Sequence, residues 1–253
     1  MTIHLPEPDS HKGQNGKLLV IGGSHLFHAA SLWSLTVASR IVDLVHYASV
    51  PENNEIVQKA KQDFRNGIVI RREDIHEYIK EDDVILIGPG MERTEETKHL
   101  THDLLVQYPQ KQWVIDAGAL QMMDVKNIPH HAILTPHHQE FTHVFGNENT
   151  RDVANKYHCI LLLKGPTDVI TDGKTMKEVK GGNAGMTKGG TGDVLAGLVA
   201  ALACTNNPFD SAVWGSTINK AAGDELYKTV GPFFNASDLA DQIPKTMKSL
   251  FLT

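Results

Sequence analysis

The 253-residue sequence predicts a doubly wound α/β fold, a three-layer α/β/α sandwich around a mostly parallel central sheet. Two observations predict it. Short apolar runs end in glycine, proline or aspartate: "KLLVIGGS" (17–24), "DVILIGPG" (83–90), "QWVIDAG" (112–118), "AILTPH" (132–137) and "CILLLKGP" (159–166). A strand buried on both faces has no polar side to alternate with, so it reads as an unbroken apolar run. Helical candidates lie between the runs, and strands alternating with helices imply βαβ units.

In chain order, the N-terminus is polar and contains proline, with no secretory signature. After the first run, residues 28–42 place Leu32, Leu35, Val37, Ala38 and Ile41 mostly on one helical face. Lys80-Glu81-Asp82-Asp83 reads as a solvated turn. A helix over 94–107 opens at Thr94-Glu95-Glu96, an N-cap followed by acids that suit the positive end of the helix dipole. Another fits 149–158. "DVLAGLVAALA" (193–203) is an apolar helix, and "SDLADQIPKTMKSLF" (237–251) a terminal one, with Ser237 as N-cap and Pro244 kinking or breaking it. Trp33 and Trp214 fall in helical patterns that suit core or subunit contacts. Without a linker, low-complexity segment or repeat, the reading is one domain over 1–253.

Composition excludes several classes. Hydrophobic residues are 41% and charged residues 21%, as in soluble globular proteins. The net charge is −6 and no basic block exists to neutralise phosphates, which argues against a nucleic-acid partner. No apolar run approaches the roughly 20 residues of a membrane span. Cys159 and Cys204 lie in apolar runs and suit buried thiols better than a disulfide. The expected setting is the cytoplasm.

In open parallel sheets, ligands bind beyond the carboxyl ends of the strands. Four runs finish there with Gly22-Gly23-Ser24, Gly88-Pro89-Gly90, Asp116-Ala117-Gly118 and Lys164-Gly165. They line a shared crevice or serve simply as turns. The stretch "NAGMTKGGTGDVLAG" (183–197) goes further. A glycine-rich turn feeding a helix leaves backbone N–H groups aimed outward, and the helix dipole favours negative charge there. That is a cradle for a phosphoryl group. It is not a P-loop, because G-x-x-x-x-G-K-[ST] is absent, nor a dinucleotide fingerprint, because no strand leads into a G-x-G-x-x-G. Asp193 is out of place beside such a cradle unless it does chemistry. It suits a general base for a hydroxyl that attacks phosphorus; the plain alternative is an early-helix acid that satisfies the dipole. Five histidines in 129–143 (His130, His131, His137, His138 and His143) raise a zinc site, but no H-E-x-x-H is present and they also suit solvated loops.

"KGGTGDVLAG" (188–197) resembles the signature of the ribokinase-like superfamily and, more closely, that of the ADP-dependent NAD(P)H-hydrate dehydratases. "SHKGQNGKLLVIGGS" (10–24), "IGPGM" (87–91), "VIDAGAL" (114–120), "LTPHHQEF" (134–141) and "LLKGPTDVITDG" (162–173) resemble further family blocks in the same order. The resemblance implies a ribokinase-like fold and a repair lyase. Such an enzyme dehydrates the S-epimer of NADHX or NADPHX to NADH or NADPH at the expense of ADP, or ATP in some lineages, giving AMP and phosphate. It implies Mg2+, a homotetramer and cooperation with a separate NAD(P)HX epimerase. By position, Asp193 resembles the family's base. Lys164, Gly165, Pro166, Thr167, Asp168, Gly190, Thr191 and Gly192 resemble nucleotide contacts, and Ala30, Gly90, His137 and Asp193 contacts to the hydrate. Glu140 resembles an acid that organises Mg2+ through water.

The sequence departs from the family pattern on the substrate side. T-P-H-P-G-E-F becomes "TPHHQEF" (135–141), G-N-P-G-M becomes "GNAGM" (182–186), and "SHLFHAA" (24–30) has histidine and alanine where glycine is usual. The strand "LVHYASVPENN" (44–54) lacks the small-residue helix end that usually precedes it. Two other readings share the same residues: a small-molecule kinase for a vitamin precursor, and a nucleotide-binding sensor without catalysis.

Overall fold

In the computed structural model, residues 3–252 are described. They form a nine-stranded sheet of order β3-β2-β1-β4-β5-β6-β7-β8-β9. β1 (Lys17–Ile21), β2 (Leu44–Ala48), β3 (Ile68–Val69), β4 (Val84–Ile87), β5 (Gln112–Ile115), β6 (Ile133–Leu134) and β7 (Ile160–Leu163) run parallel. β8 (Thr167–Thr171) and β9 (Met176–Lys180) return antiparallel. The unbroken apolar runs are explained by the two faces they serve. Leu19, Ile21, Ile85, Ile87, Trp113, Ile115 and Leu161 point into one core; Leu18, Val20, Val84, Leu86, Val114 and Leu162 point into the other.

The first core is covered by α3 (Ile75–Glu81), α4 (Glu95–Gln107), α5 (Ala117–Met122), α6 (His138–Phe145) and α7 (Thr150–Tyr157). The second is covered by α1 (His28–Ala38), α8 (Thr191–Ala203) and α9 (Pro208–Val230). α2 (Pro51–Ala60) follows β2, and α10 (Ala236–Phe251) packs outside α1, α8 and α9. The Thr94 cap is as expected: its side chain accepts from the Thr97 N–H. Cys159 and Cys204 are free thiols, and burial pushes both well above the ordinary range. Among the described residues, no helix is long and apolar enough to cross a membrane.

Three expectations are corrected. α10 is capped by Asn235, not Ser237: Asn235 Oδ1 accepts from the Ser237 and Asp238 N–H groups while Asp238 returns a bond to the Asn235 N–H. Of the two outcomes expected at Pro244, a break is excluded: α10 continues through it to Phe251. A proline leaves the carbonyl four residues back without its donor, and here Arg40 Nη1 supplies one to Ala240 O at 2.7 Å. Finally, 80–83 is not simply a solvated turn. Asp82 is fully buried, and both its oxygens lie 2.9 Å from His46 Nδ1. Lys111 Nζ donates to the Lys80 and Asp82 carbonyls beside it. Burial pushes the Asp82 carboxyl up, and His46 offsets only part of this.

Removing one partner of a buried hydrogen bond leaves the other unsatisfied, at about 1–3 kcal/mol. Asp82→Ala should therefore lower the urea midpoint by that equivalent with an unchanged m-value. A shift under 1 kcal/mol would mean that His46 finds another partner.

Candidate functional site

The carboxyl ends of β4, β5, β6 and β7 meet the N-terminus of α8. Lys164 extends β7: its N–H donates to Pro136 O at 2.8 Å, and it bridges in parallel to His137. Two strand ends thus set His137 and Lys164 side by side. His137 caps α6, with Nδ1 accepting from the Gln139 and Glu140 N–H groups at 3.1 and 3.2 Å. The ring proton then belongs on Nε2, which lies 3.6 Å from Glu140 Oε2. His138 and Gln139 are the first two residues of α6, so the loss of the family's Pro-Gly pair is absorbed as ordinary helix.

α8 begins at Gly190, whose φ of +97° suits glycine; a Cβ there would also run into the Trp33 ring and the Ala236 methyl. Thr191 Oγ1 donates to Met186 O at 2.7 Å and Lys188 O at 3.0 Å, tying the approach to the helix. At Gly192 a Cβ would come within 3.5 Å of Lys164 Nζ alone, and at Gly189 it would meet nothing within 4 Å. The side-chain positions of Gly189 and Gly192 thus leave room at the start of α8, with the Lys164 ammonium alongside, an arrangement that suits an anion.

One cation serves several carboxylates here. Lys164 Nζ is 3.0 Å from Asp116 Oδ1 and 3.8 Å from Glu140 Oε2. Glu140 is itself held: Oε1 accepts from Gln121 Nε2 at 3.1 Å and Oε2 from the His137 N–H at 2.9 Å. Burial pulls the Lys164 ammonium down, but Asp116 and Glu140 outweigh it and hold the group above its ordinary value. Asp193 is pushed up to about 7, first by burial, then by the negative charge of Asp116 and, less, of Glu140, with Lys164 opposing. A carboxyl that titrates near neutrality can accept a proton and release it.

Two cavities flank this cluster. One, of about 600 Å³, is lined by Lys164, Gly165, Pro166 and Asp168 on one side, Gly181, Asn183 and Met186 on another, and Thr191 and Gly192 at the helix. The second, of about 1230 Å³, holds Ala30, Gly90, Glu140, Gly190 and Asp193. Among lining residues they share only His137. Of the residues the resemblance assigns to the nucleotide, Lys164, Gly165, Pro166, Asp168, Thr191 and Gly192 line the smaller cavity, while Gly190 lines the larger one with Ala30, Gly90 and Asp193. Thr167 lines neither; it opens β8 in register with Lys180. Asp168 turns inward, accepting from the Gly165 N–H at 2.8 Å and Ser216 Oγ at 2.7 Å, with Lys220 Nζ at 3.3 Å. Trp33, expected in a core or subunit contact, is partly buried against the α8–α10 layer and also lines the larger cavity. Trp214 packs edge-on against Phe251.

Sequence reasoning missed three contributors. Asp116, in sequence a strand-end candidate for the crevice with no assigned role, holds Lys164. Lys220 Nζ donates to the carbonyls of Gly165, Pro166 and Gly181, clamping the two loops that wall the smaller cavity. Asn219, 5% exposed, lines that cavity with an Oδ1 that has no hydrogen-bond partner among the described residues. Only their place on one face of α9 unites the last two. The five histidines do not converge: among the described residues, no group of three or more His, Cys, Asp or Glu stands close enough to hold a metal.

This sheet with its capped anion cradle is the ribokinase-like α/β class. The fold is shared with a ribokinase-like protein from Enterococcus faecalis (TM-score 0.86, 23% identity, covering 98% of this chain and 92% of that one). It is shared too with a Bacillus subtilis ADP/ATP-dependent NAD(P)H-hydrate dehydratase co-crystallised with ATP and Mg2+ (TM-score 0.82, 24% identity, 97% and 93%). Residues 18–245 match the family model described as NAD(P)H-hydrate dehydratase, and the chain belongs to that family. It is 37% identical over 252 residues to a bifunctional NAD(P)H-hydrate repair enzyme of Archaeoglobus fulgidus, covering 94% of this chain and 52% of that protein. It is 33% identical over 265 residues to an ADP-dependent (S)-NAD(P)H-hydrate dehydratase of Cenarchaeum symbiosum, covering 95% and 91%. The chain spans about half the length of the bifunctional archaeal relatives it matches.

The raised Asp193 value makes a stability prediction. Between an unfolded value near 3.8 and a folded value of about 7, the folded state holds the proton more tightly, so stability falls as pH rises through this window. Asp193→Asn should melt a few °C higher than the parent at pH 8 and equally at pH 4. Equal melting at both pH values would show that the carboxyl is not strained.

Proposed function

We propose that the chain dehydrates the S-epimer of NADHX or NADPHX, with ADP as phosphoryl donor, giving AMP and phosphate. The observation that carries this reading is Asp193, a carboxyl titrating near neutrality between a cavity headed by a phosphate cradle and a larger one. Family membership supplies the substrates. The donor's adenosine takes the smaller cavity, where Asn219 Oδ1 offers a buried acceptor to the exocyclic amine of adenine. The terminal phosphoryl lies at the 190–192 turn beside Lys164, and the hydrate lies in the larger cavity against His137, Ala30 and Gly90.

In this mechanism the ionised Asp193 takes the proton of the hydrate hydroxyl. That oxygen bonds to the β-phosphorus of ADP as the bond to the bridging oxygen of AMP breaks. The first-turn amides and Lys164 stabilise charge on the transferring phosphoryl. Loss of a proton from the neighbouring ring carbon and departure of phosphate restore the double bond. The oxygen-only donors Asp116 and Glu140 suit Mg2+, which keeps most of its waters and uses few carboxylates; both Glu140 oxygens already accept hydrogen bonds, so contact through water fits best. When bound, the ion neutralises donor phosphates. The working assembly is a homotetramer, in the cytoplasm, served by a separate epimerase.

Purified protein with NADPH hydrate, Mg2+ and either ADP or ATP should regain reduced-nicotinamide absorbance with one donor. A stable phosphate ester instead would favour a kinase, and nucleotide binding without turnover a sensor. Asp193→Asn should lower turnover by about 10²–10⁴-fold while still binding ADP. The pH profile of kcat/KM should rise through about 7, as Asp193 becomes ionised. Because Lys164 lowers the Asp193 value, Lys164→Met should move that limb to higher pH. An unmoved limb would assign it to another group.

A further inference from the structure

The segment "SHLFHAA" (24–30) leaves two large apolar side chains in solvent: Leu26 is 65% and Phe27 49% exposed. Both line the larger cavity. Exposed apolar side chains on a mobile loop would mean little, but this segment is pinned. Ser24 Oγ accepts from the Leu26 and Phe27 N–H groups at 3.3 and 3.1 Å. A Cβ on Gly90 would come within 2.8 Å of Phe27 O, so the β4 strand end buttresses the turn from behind. At the next residue, His28 Nδ1 lies 3.1 Å from Asn53 Oδ1, and Asn53 is fully buried and bonded to Tyr47 and Ser49. The backbone is held on three sides while the phenyl ring remains available.

We propose that Phe27, flanked by Leu26, is the platform on which the second base of the dinucleotide substrate stacks. This rests on the hydrate-dehydratase reading. The reacting ring must lie by Asp193 and His137, which line this same cavity with Phe27. The adenosine half must then extend away from the reacting centre, and Leu26 and Phe27 are the exposed large apolar side chains of the wall. The cavity is also about twice the volume of the one assigned to the mononucleotide donor, 1230 against 600 Å³. A ring presented without a partner offers a base its π-face at little ordering cost, and base–aromatic stacking serves any planar base. Phe27 is a specificity residue in this role and takes no part in bond making.

The test compares NADPH hydrate with the hydrate of reduced nicotinamide mononucleotide, which lacks the second base, in wild type, Phe27→Ala and Phe27→Tyr. Binding is measured by calorimetry alongside turnover. The expected result for Phe27→Ala is a roughly tenfold or larger loss of affinity and of kcat/KM for the dinucleotide relative to the mononucleotide. Phe27→Tyr, which keeps the ring, should restore the wild-type ratio. An equal effect on both hydrates overturns the proposal. So does dissociation of an oligomer with the ratio unchanged, which would make Leu26 and Phe27 a contact with a second copy. If wild type binds both hydrates but turns over neither, the dehydratase reading fails while the affinity ratio still decides the role of Phe27. If it binds neither, both fail. Phe27 is half exposed, so the variants should fold.

Discussion

The site depends on a shortage of positive charge. Lys164 is the ammonium placed between Asp116 and Glu140, and Asp193 feels all three. One cation stands against three carboxylates: burial raises Asp193 most, Asp116 adds to it, and Lys164 opposes both. Poor screening in the interior strengthens these charge effects. The strand ends impose this ratio: β5 delivers Asp116, β7 delivers Lys164, and the α6 cap that holds Glu140 is anchored at the end of β6. The parallel register of β5, β6 and β7 therefore sets the spacing of these charges.

Much of this is written locally in the sequence. The apolar runs announce buried parallel strands because both faces of each are covered. The 188–197 stretch suggests an anion cradle because its glycines admit a left-handed turn at Gly190 and keep side chains away from the helix start. The local signals fail where a partner lies far along the chain. Asp82 sits in a charged run, and its partner His46 is on a different strand. Pro244 looks like a helix breaker, and the donor that satisfies Ala240 comes from Arg40, in the turn after α1. Asn235 and Ser237 are both cap-forming residues two positions apart; the reciprocal Asp238 bond chooses between them. Lys220 and Asn219 carry no motif, and only the packing of α9 on the β7–β9 corner shows what they do.

The residues that depart from the family pattern on the proposed substrate side fall within helices and a short turn. His138 and Gln139 enter α6 as helix, Ala184 opens a short turn capped by Asn183, and Ala30 lies within α1. Each change falls where regular backbone tolerates any residue. Gly190, which regular backbone does not tolerate, is unchanged from the family pattern.

The two cavities touch through His137, with the 189–193 turn between them. On the function proposed above, the two ligands would meet at that histidine, and a single compound reaching from one cavity into the other would have to pass it.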